Sequence, residues 1–280
     1  AQSLEQHVDY ETYEPPTPAA KLMASAYVMG VGADPWDRQV VLADGFDPGN
    51  QRTAETIASE KNFNLLVQPD GNTILGNGFD MCLVDFQEGA ADIRENAKAL
   101  LAVVEYVCGE AHRAFLKTHG GAPNSKAGTL YGEVAVGGFS MGGLVARLAL
   151  LYGQKERGNV PSARISNVNR YISIDSPHQG AAGFNLDFQR MAEEYVADQF
   201  WQLNSSAARQ MLYEHISAAP DYSAFHDDFY QFVEDMGDWP TGVERVGIAD
   251  SHWPKGEALY AEESYTWQME ITYMGESIIS

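Results

Sequence analysis

EVAVGGFSMGGLVARLAL, residues Glu133 to Leu150, changes its hydrophobic period in the middle. Val134, Val136 and the small residues around them read as a short buried strand. From Leu144 the apolar residues recur at helical spacing, so Leu144, Val145, Leu148, Leu151 and Tyr152 share one face, and Gly153 is the expected stop. Ser140 therefore stands at a strand-to-helix corner, fenced by a pair of glycines on each side.

Outward from this corner the chain alternates strands and helices. Strands are expected at Gln39 to Leu42, Met81 to Phe86, Val134 to Val136, Tyr171 to Ile174 and Val243 to Ala249. Asp92 with Glu95 has the spacing of a capping box, and Ile93, Ala97, Leu100, Leu101, Val104 and Val107 then keep one apolar face. Such alternation predicts an α/β fold with a mainly parallel sheet covered by helices on both faces. Tyr265, Trp267, Met269, Ile271 and Tyr273 alternate with polar residues and predict a one-sided strand at the far end.

Domain organisation follows from composition. The proline-rich YEPPTP, Tyr13 to Pro18, closes a lead-in of residues 1–18. A first core part spans 19–183 and the last strands 241–280. Between them, residues 184–240 carry twelve aromatics, and eleven acids against two basic residues. That is far longer than an ordinary loop in such a fold, so it is read as a helical cap or lid over the sheet, lining an apolar pocket.

The 280 residues are 45% hydrophobic, an ordinary globular composition. A net charge of −21 excludes a nucleic-acid partner, which needs a basic footprint, and disfavours anionic lipid. It is read as a solubility device or an adaptation to salt. No apolar run approaches the roughly 20 residues of a membrane span. Cys82 and Cys108 are read as buried free thiols. The opening residues lack a signal peptide, and a start on Ala-Gln predicts a processed, secreted or periplasmic form, with the cytoplasm as the alternative.

Gly138-Phe139-Ser140-Met141-Gly142 matches G-x-S-x-G, the nucleophile elbow. Glycines are needed there because side chains two residues from the serine would collide at so sharp a turn. An oxyanion hole requires two backbone donors. Met141, after the serine, is one candidate, and Phe46 in the loop ADGFDPG is the second, with Gly45 as its runner-up. Asp44 is read as structural. No zinc spacing occurs anywhere in the chain.

LADGFDPGN, GGFSMGGLVARLAL and YISIDSPHQGA together resemble the α/β-hydrolase lipases and esterases, particularly the bacterial branch similar to GPI inositol deacylases. The likeness is good from Val40 to Gly183 and looser beyond. It implies the α/β-hydrolase fold, no cofactor, and a triad in the order serine, acid, histidine. His7, His112 and His119 precede Ser140 and break that order. His178 matches a turn that the family uses to shape its loop. His215 and His226 fall in the insertion and are read as surface or pocket-lining. His252 follows the fifth strand and is one candidate base; a histidine beyond Ser280 is the other. The acid is Asp175 or Asp250, each ending a strand, with Asp175 favoured if His252 is the base. The expected activity is hydrolysis of a small or lipid-like carboxylic ester. A catalytically silent binding domain, and an acyltransferase or peptidase using the same serine, are the alternatives.

Overall fold

Val40 to Ala43 and Met81 to Val84 are apolar without interruption. Runs with no polar alternation fit strands that are covered on both faces. The structure, a computed structural model, describes residues 6–8, 24–29, 36, 38–59, 78–119, 132–155, 163–181, 186–195, 202–218, 223–248, 272–273 and 276–277. In chain order its elements are β1 (Gln6–Val8), β2 (Ala24–Met29), β3 (Arg38–Ala43), α1 (Ala54–Ser59), β4 (Asp80–Phe86), α2 (Ile93–His119), β5 (Glu133–Phe139), α3 (Met141–Lys155), β6 (Val168–Ile174), α4 (Leu186–Tyr195), α5 (Ser206–Met211), α6 (Ala224–Asp235), β7 (Glu244–Ile248), β8 (Thr272–Tyr273) and β9 (Glu276–Ser277).

Seven strands form one sheet in the order β1-β2-β4-β3-β5-β6-β7. The five from β4 to β7 run parallel, while β2 joins β4 antiparallel and β1 joins β2 antiparallel. The two apolar runs lie on β3 and β4. On one face Val41, Ala43, Cys82 and Val84 meet α2 and α3; on the other Val40, Leu42, Met81 and Leu83 meet Ala54 and Ile57 of α1. From β3 the chain crosses to β4 on one side, then to β5 on the other. This reversal makes the carboxyl ends of β3 and β5 a topological switch point, the place where open α/β sheets bind their ligands.

The helix after Ser140 differs from its expected form. It runs past Gly153 to Lys155, and every residue except Tyr152 and Lys155 is buried. α2, β3, β5 and β6 all pack on it, so a single apolar face is not enough to describe it. Gly153 is a packing position: a Cβ there would lie 2.5 Å from Ile165 Cδ1. The α2 cap is also only half the expected box. Asp92 Oδ1 accepts the Arg94 N–H at 2.8 Å, but the Glu95 carboxylate turns to Lys98. Gln210 of α5 takes the N–H of Ile93 at 2.9 Å instead, tying the insertion to the core.

β2 escaped the sequence reading because ASAYVM is short, small and without clear alternation. β1 lies inside the stretch read as a lead-in. Most of the alternating run Tyr265 to Tyr273 lies outside the described residues; its end, β8, pairs with β9 in a separate two-stranded sheet. Between β6 and β7 come α4, α5 and α6. No described helix is long and apolar enough to cross a membrane. Cys82 and Cys108 are free and fully buried, and burial pushes the Cys82 thiol up to about 12 and Cys108 upward as well.

Leu148 has no exposed surface and stands in the middle of α3. Leu148→Ala is expected to cost about 2–5 kcal/mol, read as a lower urea midpoint with an unchanged m value.

Candidate active site

Backbone crowding builds the corner at Ser140. A Cβ on Gly138 would stand 2.3 Å from the Gly142 carbonyl carbon, and one on Gly142 would stand 2.3 Å from the Ala43 oxygen and 2.5 Å from that of Asp44. Only glycine lets β5, the start of α3 and the end of β3 come this close. Ser140 itself sits at φ 50, in the left-handed region that costs a residue with a Cβ of order 1 kcal/mol or more. Its N–H donates to Ile174 O at 2.9 Å and its carbonyl accepts Gly143 N–H at 3.1 Å. The backbone is thus pinned on both sides while the residue stays exposed.

The loop after β3 closes against the same corner. Asp44 N–H donates to Val84 O at 2.8 Å, and a Cβ on Gly45 would lie 3.4 Å from Ser140 Cβ. Among the described residues no acceptor takes the N–H of Gly45 or Phe46. Met141 opens α3, where the first amides of a helix lack partners within it. Loop and helix start therefore bring main-chain donors with no acceptor among the described residues to either side of Ser140.

The charges behind the loop are unusual. Asp44, Asp47 and Asp85 are all buried, and Arg52 lies among them, 3.2 Å from Asp44 Oδ2 and 3.9 Å from Asp47 Oδ2. Burial, with the Asp44 and Asp47 charges added, pushes the Asp85 carboxyl up to about 7, against the pull of Arg52. Neither Arg52 nor Asp85 emerged from the sequence. The one signal for Arg52 is a single cation six residues past Phe46 in an otherwise acidic or neutral stretch.

Asp175 is exposed at the carboxyl end of β6, one residue beyond the register pair of Phe139 with Ile174. It shares the left-handed backbone of Ser140, at φ 48, and its N–H donates to Ile248 O at 2.7 Å. Two non-glycine residues in this region, at the ends of adjacent parallel strands, are a concentration of strain of the kind found at working sites. Ser140, Met141, Phe46 and Asp175 are brought to one end of the sheet. Asp250 and His252 lie outside the described residues.

Among the described residues no imidazole hydrogen-bonds Ser140. His178 meets Ser173 Oγ at 2.6 Å and Tyr171 Oη at 3.3 Å through Nε2, and its ring lies 5.0 Å from that of Trp239. Burial and the Arg147 charge push it down to about 4, which favours its neutral ring near neutral pH. His215 and His226 are not at the surface: both are buried. His215 Nε2 donates to Leu203 O at 2.9 Å and its Nδ1 accepts Ser217 N–H at 3.1 Å, which fixes one neutral tautomer. His226 holds Gln179 O at 3.1 Å and stacks on Tyr213. His215 thus braces the insertion internally, and His226 ties it to the loop after β6. Among the described residues no group of acids, histidines and cysteines is arranged to hold a metal ion.

Residues 45–231 match the model of the PGAP1-like alpha/beta domain family. Among curated proteins none matches the chain. Among solved structures it is similar to the mature form of the lipase BlEst2 from Bacillus licheniformis, at 15% identity over 79% of this chain and 70% of that one, with a TM-score of 0.45. It is similar to the thermophilic carboxylesterase EstE1 from a metagenomic library, at 13% identity over 90% of this chain and 80% of that one, TM-score 0.41. The esterase Est22 gives 12% identity over 88% and 71%, TM-score 0.42.

Asp85 and His178 act on acid stability in opposite senses. Asp85 binds its proton more tightly when folded, so its contribution falls as pH rises from about 4 to about 7. His178 binds its proton less tightly when folded, so its contribution is lost as pH falls from about 6.5 toward about 4. Asp85→Asn is therefore expected to steepen the loss of urea midpoint between pH 6.5 and 4.5, and His178→Gln to flatten it.

Proposed function

The chain belongs to the family of PGAP1-like alpha/beta domains, and from that footing we propose that it is a serine hydrolase cleaving carboxylic esters through an acyl-enzyme on Ser140. The observation that carries this reading is the exposed serine at φ 50, standing at the carboxyl end of β5 where the strand order reverses, beside amides that no described acceptor takes. A resting protein gains nothing from such an arrangement. A developing oxyanion does.

In this reading Ser140 Oγ attacks the ester carbonyl carbon and gives its proton to an imidazole. The carbonyl oxygen becomes an oxyanion, held by the N–H groups of Met141 and Phe46. Collapse expels the alcohol, which leaves with the proton returned by the imidazole, and water resolves the acyl-enzyme by the same steps. Asp175 is the carboxylate that orients the base. His252 is the base, four residues past Ile248, whose carbonyl holds the Asp175 N–H. That separation spans at most about 14 Å of chain, short enough to bring an imidazole back to Asp175. Asp250 is the alternative acid. The insertion acts as a lid, and its exposed Met191, Tyr213 and Phe225 suit an ester with apolar acyl groups.

With short-chain p-nitrophenyl esters, Ser140→Ala is expected to lower kcat by about a thousandfold or more, with an unchanged melting temperature and no fluorophosphonate labelling. His252→Ala and Asp175→Asn should each lose most of the same activity, without adding to the Ser140→Ala loss. Wild-type protein that neither turns over esters nor takes the label would overturn the reading in favour of a silent binding domain. Products transferred to added alcohol, in preference to water, would mark an acyltransferase.

A further inference from the structure

Arg52 touches the loop after β3 at three points. Its Nη2 donates to Phe46 O at 3.1 Å and stands 3.2 Å from Asp44 Oδ2, and its own N–H donates to Asp47 Oδ2 at 2.8 Å. These contacts bracket Gly45 and Phe46, whose amides are the two candidate donors opposite Met141. The grip starts from a fixed base. Thr53 and Thr56 cap α1 reciprocally: Thr53 N–H donates to Thr56 Oγ1 at 2.7 Å and Thr56 N–H to Thr53 Oγ1 at 3.1 Å. Ile57 N–H then donates to Thr53 O at 2.9 Å. Arg52 is the residue next to this cap, so its backbone is held while its side chain reaches back over the loop.

The loop needs such a hold. A two-donor site works only if both amides already point where charge will develop, and a displacement near 1 Å can cost about a hundredfold. The Phe46 side chain packs on the core and a Cβ on Gly45 would lie 3.3 Å from Phe139 O and 3.4 Å from Ser140 Cβ, but among the described residues no hydrogen bond from the Ser140 side fixes the Phe46 backbone. Charge adds a second demand. The Asp44 and Asp47 carboxylates lie behind the very loop that must accept an oxyanion, and their field opposes it. The guanidinium offsets that field at the same point where it holds the carbonyl of Phe46. A planar fork can serve a carbonyl and a carboxylate together, which an ammonium cannot do in the same geometry.

We propose that Arg52 is a positioning residue for the oxyanion hole: anchored by the α1 cap, it fixes the Gly45–Phe46 amides toward Ser140 and offsets Asp44 and Asp47. The inference rests on the ester-hydrolase reading above. It assigns Arg52 no contact with substrate.

The test uses the full chain with a short-chain p-nitrophenyl ester and a trifluoromethyl ketone, a mimic of the tetrahedral adduct. Arg52→Met is expected to lower kcat about 10- to 100-fold with KM within about twofold. Its affinity for the ketone should weaken in step with kcat/KM. A residue that merely held the fold would instead lower the melting temperature and the active fraction, leaving kcat per labelled serine unchanged. If Arg52→Met does not fold, Arg52→Lys decides: a severalfold drop in kcat per labelled serine at a wild-type melting temperature supports the proposal. Either folded variant with kcat and ketone affinity within about twofold of wild type overturns it. Absence of turnover and of labelling in the wild type would overturn the hydrolase reading itself, a separate outcome.

Discussion

The closeness of three backbones governs this structure. β3 ends, β5 ends and α3 begins within contact distance, and the oxygens of Ala43 and Asp44 stand where a Cβ on Gly142 would go. Everything at the site inherits that spacing. The serine is driven into the left-handed region because the chain must turn from strand to helix without room for a turn residue. The loop after β3 lies against Ser140 because the same missing side chains let it in. The burial of α3 on nearly every side then removes any freedom to relax. Strain at one residue persists because dense packing around it over-determines its conformation.

Electrostatics shapes the second half of the site. The chain carries 39 acidic residues against 18 basic ones, and the loop beside Ser140 is no exception. Two devices moderate it. Arg52 is placed among the carboxylates, and Asp85 is pushed toward its neutral form. The histidines behave in the same spirit. Burial lowers the proton affinity of His178 and His215, and both hydrogen-bond neighbouring groups.

What the sequence revealed, and what it did not, follows from the range of the interactions. The five parallel strands and α2 were legible because long apolar runs and a sustained helical period leave few alternatives. The corner at Ser140 was legible because glycines at fixed offsets have one geometric cause. The end of α3 was not: Gly153 looks like a stop, yet Ile165, distant in sequence, determines its purpose. The burial of His215 and His226 was hidden too, since their partners Leu203 and Gln179 lie across loops that no period connects. Arg52 escaped for the same reason. Its importance comes from which carbonyl and carboxylates surround it, and local spacing carries no trace of that.

Cys82 and Cys108 have a use that this architecture confers without design. One lies on β4 and the other on α2, yet both sit in the same core layer with no surface exposed. Neither can be deprotonated or reached by an alkylating reagent while that layer stays shut. Mass-resolved trapping of the two sulfurs therefore reads out separation of sheet from helix. One adduct without the other marks an excursion confined to one element, and paired adducts mark concerted opening.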